Sequence, residues 1–449
     1  MWTLHNLKIW MVSRMENKFG QKHYDDLVKA LTGPGAMMNS FTMYSIRSLD
    51  LISSGAAEIG EVLGTMRKLG INRSFKDMKE AWATEWGAIA SMLETRGDDY
   101  AAKNHSVGAA SAFLRATEYH RQSFFFMRDD LSDPRIAESH ARMQRCFKSY
   151  LKHSQMPMEA ISIPFEGAEL SGYFARAQGA APGERRPIAI HVGDYDGCAE
   201  EWWLATGRHA WARGYHVLVF DGPGQGSSLW CKGLYFPSNP AIVIDAAATW
   251  LSKNKPEADL SKVILIGRKY GGYLAMHTAV VNASPTFPKY TIAAVAVAPM
   301  YVNMGSRSIP GMLSPQAQAL FAERKDDEVN AHILYDMSVS AYCKFAIASR
   351  AGCHGFADTP AAWMRRYNDD LNIESRMGEI SCPIWAAIHT DKPLNHQVLD
   401  DSKFTQKLNN LTIEKFSVEK DGSLGAYWEG GSASLMERMM DWVQDTVVL

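Results

Sequence analysis

Long hydrophobic runs are missing from this 449-residue sequence. No segment approaches the roughly 20 consecutive apolar residues that a membrane-spanning helix needs, so we expect no membrane segment. The first twenty residues interrupt their apolar positions with His5, Lys8 and Arg14, and they contain no small-residue cleavage site. They therefore predict no signal peptide, and we expect a cytoplasmic protein.

An excess of either charge is also missing. The 47 Lys and Arg residues nearly balance the 49 Asp and Glu residues, and no long run of one sign occurs. This balance predicts no nucleic-acid partner and no anionic membrane surface as partner. With 46% hydrophobic residues, the composition is that of an ordinary globular protein.

Cysteine is scarce and scattered. The six cysteines form no C-x-x-C pair, and Cys353-His354 has no partners at zinc spacing. We therefore expect reduced cysteines, no metal site and no cofactor.

The segment 1–155 has helical periodicity and no strand pattern. Ser74, followed three residues later by an acidic residue, predicts a capped helix start before a stripe of aromatic residues. Further helices are predicted over 109–127 and after Asp133-Pro134, because proline suits a first helical turn. We interpret the aromatic stripes as helix–helix core and the segment as an N-terminal helical domain.

From residue 156 onward, short apolar strands alternate with helices. The predicted strands are 160–164, 169–175, 187–192, 215–221, 263–267, 292–298, 384–389 and 411–418, and the predicted helices include 199–213, 242–251 and 270–281. This alternation indicates a doubly wound, mainly parallel sheet of eight strands over 156–449. In such sheets the functional residues lie at the carboxyl ends of the strands. The helical segment 300–380, rich in Met and Tyr, is expected to complete the pocket walls.

The most informative segment joins the strand predicted over 263–267 to the helix that follows it. Gly267 and Gly271 flank the junction, as in the G-x-S-x-G layout, whose central residue is exposed above the sheet. The glycines permit a sharp turn and close packing of helix on strand. The central residue in this sequence is Lys269.

Two more loops follow predicted strands in the order that this layout requires. The segment 220–226 reads F-D-G-P-G-Q-G and matches a D-x-x-G-x-G loop, and the segment 191–197 reads H-V-G-D-Y-D-G, where an oxyanion-hole loop is expected. Three such motifs, each after its strand, together predict the α/β-hydrolase fold.

The sequence resembles the α/β-hydrolase family that includes 2,6-dihydroxypseudooxynicotine hydrolase, the bacterial FrsA-like proteins and the fungal yellowish-green pigment hydrolases. The similarity runs from about residue 75 to the end and rests on the elbow and on the segments 113–116, 163–167, 194–201 and 222–226, with Tyr119. It implies an N-terminal helical lid that roofs the active site and helps to form a homodimer. It also implies cleavage of C–C bonds beside carbonyls in aryl ketones or polyketides by Ser, Asp and His.

The sequence departs from this family at two members of the triad. Lys269 stands where the family has serine, and the loop 421–429, which reads D-G-S-L-G-A-Y-W-E, contains no histidine. Asp391 is the expected acid. Without serine and histidine, an acyl-enzyme route of the Ser-His-Asp type is not available.

A lysine at this turn has its own chemistry. The start of a helix and the neighbouring Arg268 both disfavour a charged amine. A neutral amine is a nucleophile towards ketones and a base towards acidic C–H bonds. The backbone N–H of Tyr270 and one from 193–195 are expected to hold an enolate or oxyanion. The alternatives are ligand positioning and a structural ion pair between Lys269 and Asp391.

The loop before the second predicted helix supplies further candidates. Gly193, Asp194 and Tyr195 lie in the expected oxyanion loop, where an aspartate is also a common turn former. His191 ends a strand, a place equally typical of a core histidine. The adjacent Glu200-Glu201 pair is interpreted as favouring the dipole of the helix it begins.

Two regions near the end of the chain are candidates to replace the missing histidine. His389 and His396 flank the expected acid. Tyr427 occupies roughly the position of the histidine, as a proton donor or as an aromatic plug.

We therefore predict an enzyme with a lysine at the nucleophile elbow. It would act on a hydrophobic aryl-ketone or polyketide-like metabolite by C–C cleavage, elimination or cyclisation. One alternative is an inactive pseudo-hydrolase that binds a small molecule or a partner. The other is an ester or C–C hydrolase with another nucleophile, for which Ser227 and Ser228 are the nearest serines.

Overall fold

The computed structural model describes residues 36–69, 74–283, 290–305, 313–390, 408–424 and 427–449. Its first part is helical: α1 (Ala36–Leu49), α2 (Ile59–Leu69), α3 (Phe75–Ala102), α4 (Ser106–Ser123) and α5 (Pro134–Ser154). Within the described ranges, no helix combines the length and the apolar character needed to cross a membrane.

Local capping explains where two of these helices begin. The side chain of Ser74 accepts a hydrogen bond from the backbone N–H of Asp77 at 3.2 Å, as the sequence predicts for α3. The side chain of Asp133 accepts from the N–H of Arg135 at 3.0 Å, with proline at the first helical position of α5. Both predicted starts are confirmed.

The aromatic stripes of the helices pack against one another. Trp82, Trp86, Tyr119 and Phe126 are fully buried. The ring centroids of Trp82 and Phe126 lie 5.0 Å apart, and those of Trp86 and Tyr119 lie 5.3 Å apart. Such aromatic contacts add to the apolar burial that holds the helices together. Their interpretation as helix–helix core is confirmed.

One helix ends earlier than predicted. α4 stops at Ser123, and a 3-10 turn (Phe125–Asp129) replaces the last residues of the predicted helix 109–127. The guanidinium of Arg128 donates to the carbonyl oxygen of Phe125 at 2.9 Å and lies over the Phe125 ring at 4.2 Å. These contacts stabilise the tighter turn and direct Arg128 towards the sheet.

Eight strands form one sheet in the order β1-β2-β4-β3-β5-β6-β7-β8. They are β1 (Met158–Phe165), β2 (Ala168–Ala175), β3 (Arg186–Val192), β4 (His216–Phe220), β5 (Ala258–Arg268), β6 (Ile292–Ala298), β7 (Ile384–His389) and β8 (Leu411–Phe416). β2 is antiparallel to its two neighbours, and all other adjacent pairs are parallel. β5 starts five residues before its predicted start, because its polar beginning pairs with Arg186 and Pro187 before a register shift.

Helices cover both faces of the sheet. They are α6 (Ala199–Trp202), which continues through a π-helical turn (Trp203–Gly207) into α7 (Arg208–Ala212), and then α8 (Gly226–Trp230), α9 (Ala241–Asn254), α10 (Tyr270–Asn282), α11 (Pro315–Ala322), α12 (Asp326–Val339), α13 (Ala341–Ala351), α14 (Pro360–Arg365), α15 (Val418–Asp421) and α16 (Ser432–Thr446). Two separate apolar cores lie on opposite faces of the central strands. The predicted fold class, a doubly wound α/β-hydrolase sheet preceded by helices, is confirmed. The boundary between segments 1–155 and 156–449 as independent domains stays a prediction.

Candidate functional site

Lys269 lies at a strained turn between β5 and α10. Its backbone has φ 53° and ψ −128°, a left-handed conformation that costs free energy in a residue with a Cβ atom. Its N–H donates to the carbonyl oxygen of Ala298 at 2.9 Å, and its own carbonyl oxygen accepts from the N–H of Gly272 at 2.9 Å. These bonds tie the turn to the neighbouring strand and to the helix, and they hold the strained geometry.

Close packing around the turn requires glycine on both sides. A Cβ atom at Gly271 would lie 2.1 Å from the carbonyl oxygen of Val192, and one at Gly267 would lie 2.3 Å from the carbonyl oxygen of Gly271. The helix therefore approaches the strand ends at a distance that no larger residue permits.

The amine of Lys269 faces two carboxylates. Its Nζ lies 4.0 Å from Asp194 Oδ2 and 4.0 Å from Asp196 Oδ2, and it lies 5.5 Å from the centre of the Tyr427 ring. The Lys269 side chain is 16% exposed, whereas both aspartates are buried. The sequence argument weighed the helix, Arg268 and Asp391 as neighbours of Lys269, and it did not anticipate Asp194 and Asp196 in that place.

The two acids differ in their protonation. Burial raises the pKa of Asp194 to about 6, although Lys269 opposes the shift. Burial also acts on Asp196, but the nearby charges of Arg128 and Lys269 outweigh it and hold the pKa of Asp196 well below its usual range. The guanidinium of Arg128 donates to Asp196 Oδ1 at 2.9 Å. Asp194 is therefore the group beside Lys269 that exchanges protons near neutral pH.

Asp194 also shapes the loop after β3. Its Oδ1 accepts from the N–H of Asp196 at 2.7 Å, which is the turn-forming contact expected from the sequence. A Cβ atom at Gly193 would lie 2.7 Å from Trp202 Nε1, so the loop packs tightly on the next helix. The backbone oxygen of Tyr195 accepts from Arg128, and its hydroxyl lies 3.3 Å from Arg350 Nε.

Glu201 connects the loop to the helical part of the chain. It forms buried ion pairs with Arg47 and, at 3.5 Å, with Arg121, and these cations lower the pKa of Glu201 to about 2 despite its burial. Glu200 accepts from the hydroxyl of Tyr173 at 2.7 Å. Both glutamates do lie in the first turn of α6, but their side-chain partners come from other elements, which the dipole interpretation missed.

A cleft that is open to solvent lies above Lys269. It is lined by Arg47, Asp50, Leu51, Asp194, Glu201, Trp202, Ala205, Arg268, Lys269, Tyr427, Glu429 and Ser432. Most of these residues carry charged or polar groups, but the larger part of the surface that they expose to the cleft is apolar. In the segment 300–380, Met300, Tyr301 and Met304 lie in the core, Tyr335 is 66% exposed, and none of them lines this cleft.

Arg268 and Tyr270, the residues on either side of Lys269, differ in surroundings. Arg268 lines the cleft, and its Nη2 donates to the backbone oxygen of Tyr427 at 3.1 Å. Burial lowers the pKa of Arg268. Tyr270 points into the core between Tyr195 and Tyr367, with ring centroids 5.5 Å and 5.8 Å away. The side chain of Tyr270 is therefore directed away from the cleft, and the expected role of its backbone N–H stays a prediction.

The two predicted histidines are buried. His191 stacks on Trp202 with ring centroids 4.9 Å apart, and burial together with Arg268 lowers its pKa to about 3. Nε2 of His389 lies 2.9 Å from the carbonyl oxygen of Ser423. Neither residue lines the cleft above Lys269.

The predicted acid Asp391 and the alternative His396 lie outside the described residues. Tyr427 lies beside Lys269 and lines the cleft. The next residue, Trp428, is fully buried against Phe416 with ring centroids 5.8 Å apart.

The sequence analysis missed most of the charges around the amine. They are Arg47, Arg121, Arg128, Asp196, Glu201 and Arg350. Arg47 and Glu201 are 154 positions apart, and Arg128 and Asp196 are 68 positions apart. No local pattern joins such residues. The one available signal was the second acid in the G-D-Y-D-G segment of the loop after β3.

Comparison with known proteins finds fungal hydrolases. No protein-family profile matches the chain. Hydrolase acrC of Aspergillus aculeatus is 31% identical over 253 residues, which cover 52% of this chain and 57% of acrC. The 20-hydroxy-prefusarin hydrolase FUS2 of Gibberella moniliformis is 28% identical over 54% of this chain and 57% of its own length. These alignments thus span little more than half of each relative. Hydrolase phmG of Phaeosphaeria nodorum is 24% identical over 77% of this chain and 79% of phmG.

Solved structures share the architecture. The 2,6-dihydroxy-pseudo-oxynicotine hydrolase superposes with a TM-score of 0.63 at 16% identity, over 89% of this chain and 96% of the other. Wild-type AbyA5 gives a TM-score of 0.56 at 14% identity, over 89% and 94% of the two chains. The chain therefore has the α/β-hydrolase fold, and the relatives described above are fungal proteins named as hydrolases.

Proposed function

We propose that this chain is an α/β-hydrolase-fold enzyme without a Ser-His-Asp triad, in which Lys269 and Asp194 carry out proton-transfer chemistry on a carbonyl compound. The observation that carries the proposal is the pair itself. An amine on a strained elbow lies 4.0 Å from a buried carboxyl group at the edge of a cleft. Burial raises the pKa of that carboxyl to about 6, close to the value that suits a general acid or base.

Asp194 and Lys269 have different roles in the proposed reaction. Ionised Asp194 accepts a proton from the carbon next to the carbonyl, and the electron pair of the broken C–H bond moves to the carbonyl oxygen. Lys269 and the backbone N–H of Tyr270 stabilise the enolate oxygen that forms. In elimination, collapse of the enolate expels a β-substituent, which leaves with the proton that Asp194 returns. In cyclisation, the enolate carbon attacks a second carbonyl of the same molecule, and Asp194 returns the proton to the alkoxide that forms. In C–C cleavage the order is reversed: ionised Asp194 accepts the proton of a β-hydroxyl group, the C–C bond breaks to give a carbonyl product and the enolate, and Asp194 returns the proton to the enolate carbon. Because Lys269 faces two carboxylates, this electrostatic role has better support than an imine with the substrate.

The cleft and the relatives together favour a class of substrate. Arg268 and Lys269 line the cleft and suit an enolic or carboxylate group, whereas Arg47 is paired with Glu201. One relative is named for its action on 20-hydroxy-prefusarin, which supports a fungal secondary metabolite as substrate. We therefore propose a polyketide-like or aryl-ketone metabolite whose polar end faces Lys269 and whose hydrophobic part extends out of the cleft. A homodimer also remains part of the proposal.

A second candidate function is a pseudo-hydrolase that binds such a molecule without turnover. The same contacts of Lys269 with Asp194 and Asp196 support it, because an ion pair can hold the loop after β3 as a structural element alone. An ester hydrolase based on Ser227 or Ser228 has no such support. Ser227 Oγ donates to Asp221 Oδ2 at 2.9 Å, and Ser228 Oγ donates to the backbone oxygen of Asp221 at 2.6 Å. Both serines are buried, and neither lines the cleft above Lys269.

Turnover by four proteins tests the proposal. Wild type, Lys269→Ala, Asp194→Asn and the exposed control Lys253→Ala are incubated with aryl β-diketones and polyketide pyrones, and the products are identified by mass spectrometry. We expect each site variant to lose about 10²–10⁴-fold in rate, the usual range for a positioned acid–base group, and the control to match wild type. Circular dichroism verifies that the variants fold.

Three outcomes separate the alternatives. Equal rates for Lys269→Ala and wild type would refute the proposed role of the elbow. Tight binding of a panel compound with no product from any of the proteins would support the pseudo-hydrolase. Borohydride trapping of a covalent adduct at Lys269 would replace the electrostatic role with Schiff-base chemistry.

A further inference from the structure

A second cluster of buried ionisable groups lies apart from the Lys269 cleft. One ring nitrogen of His140 and one carboxylate oxygen each of Glu200 and Asp221 all lie within 4.8 Å of one another. Each of the three residues is 1% exposed. None of them lines the cleft above Lys269.

Three separate elements bring these residues together. His140 is on α5 in the helical part, Glu200 is in the first turn of α6, and Asp221 directly follows β4. The cluster therefore lies between the helical part and the carboxyl end of the sheet. Aromatic rings enclose it, since His140 lies 5.3 Å from the ring of Trp230.

The two carboxylates are held firmly in place. Asp221 accepts from the N–H of Ala199 at 2.7 Å and from the N–H and hydroxyl of Ser227 at 2.7 and 2.9 Å. Glu200 Oε1 accepts from the hydroxyl of Tyr173 at 2.7 Å. By contrast, Glu200 Oε2 and His140 Nε2 are buried and have no hydrogen-bond partner among the residues that the structure describes.

The negative charge of the cluster is not balanced by a basic side chain. No Lys or Arg in the described ranges forms an ion pair with Glu200 or Asp221. Two buried carboxylates without a cation are costly, and a bound cation removes this cost.

Another cluster of buried ionisable groups in the same chain has its charge balanced by basic side chains. The described residues contain another group with ligand-type side chains, formed by Glu94, His120 and Cys146. There the carboxylate oxygens of Glu94 are already paired with Arg142, Arg145 and His120. That cluster is neutralised by the protein itself, whereas the cluster at His140 is not.

We propose that His140, Glu200 and Asp221 form a binding site for a divalent transition-metal ion of the Zn²⁺ class. One imidazole nitrogen with two carboxylate oxygens is a donor set that such ions accept, whereas Ca²⁺ and Mg²⁺ prefer oxygen ligands alone. Coordination at about 2.0–2.2 Å requires the three side chains to move slightly closer together. The hydroxyl of Tyr173 orients Glu200 from behind, as outer-shell hydrogen bonds do in metal sites. The ion would join α5 to the sheet and fix the turn that carries Glu201 to the cleft.

Metal binding by the purified full chain tests this site. The protein is stripped with a chelator, titrated with Zn²⁺ by calorimetry, and analysed for bound metal after dialysis. The variants His140→Gln and Glu200→Gln are compared with Glu138→Gln, an exposed glutamate on the same helix as His140. We expect one Zn²⁺ per chain in wild type and control, and affinity reduced about tenfold or more in both site variants.

Co²⁺ supplies an independent readout that does not depend on the stability of a variant. Binding at the proposed site gives wild type a visible absorption band that one equivalent of Zn²⁺ abolishes. The absence of stoichiometric Zn²⁺ and of the Co²⁺ band in wild type would overturn the proposal and leave a shared proton as the neutralising group. Unchanged Zn²⁺ affinity in folded His140→Gln and Glu200→Gln would overturn it as well.

Discussion

At the scale of single residues, Asp194 and Asp196 are the charged groups that lie beside the amine of Lys269. The sequence identified the lysine by its position in a turn, but the structure placed two buried acids 4.0 Å from its amine. The two acids differ in their ion pairs, because Arg128 binds Asp196 and not Asp194. This asymmetry makes Asp194 the titrating member of the pair and leads to a prediction about pH.

We expect the Asp194→Asn variant to change how stability depends on pH. Burial raises the pKa of Asp194 from 3.8 to about 6 in the folded protein. Between these values the unfolded chain releases a proton that the folded protein keeps, so the contribution of Asp194 to the free energy of unfolding falls as pH rises and is level above about pH 6. The asparagine side chain of the variant does not ionise, so its free energy of unfolding should lack this decline. The decline in wild type amounts to at most about 1.4 kcal/mol per pH unit.

Urea unfolding at a series of pH values measures this difference. The exposed Asp99→Asn variant is the control and should retain the slope of wild type. Parallel curves for wild type and Asp194→Asn between about pH 4 and pH 6 would show that Asp194 does not keep its proton in the folded state.

At the scale of elements, the junction of β5 and α10 decides the geometry of the site. Apolar periodicity and two glycines predicted a strand, a turn and a helix, and all three are present. The reason for the glycines is visible only in the packing. Gly271 lies against the backbone of β3, where a Cβ atom would be 2.1 Å from the carbonyl oxygen of Val192.

We therefore expect Gly271→Ala to destabilise the protein. The added methyl group must push α10 away from β3, at a cost of about 1–3 kcal/mol or more. The matched control is Gly64→Ala on the exposed face of α2, where a Cβ atom meets nothing within 4 Å. There alanine should stabilise the helix by about 1 kcal/mol. Thermal unfolding monitored by circular dichroism compares the two, and shifts of the same sign would contradict the packing argument.

At the scale of the whole molecule, buried ion pairs join the helical part to the sheet part. Arg47 binds Glu201, and Arg128 binds Asp196, each pair with one partner on either side. Arg208 of α7 also donates to the backbone oxygen of Ser53 at 3.1 Å. The loop after β3 thus takes its conformation from residues of the helical part, and the site exists only where the two parts meet.

Removing one of these cations should be far more harmful than removing an exposed one. Arg128→Met leaves Asp196 buried without the cation that is hydrogen-bonded to it, and we expect a loss of about 3–5 kcal/mol in the free energy of unfolding. Arg135→Met removes exposed pairs with Glu80 and Asp133 and should cost less than about 1 kcal/mol. Denaturant unfolding of the two variants measures both values, and similar losses would mean that the contact between the two parts adds little stability.

The sequence by itself determined the fold class, the helix starts at Ser74 and Asp133, and the turn that holds Lys269. These features arise from neighbouring residues, through apolar periodicity, capping and glycine at a strained turn. Only the tertiary structure decided which groups surround the amine. The arginines and acids come from segments up to 154 positions apart, and their charges are set by burial and by partners that no local pattern encodes. The charged groups at the cleft were unforeseen for the same reason, because side chains that are distant in the sequence converge at the elbow.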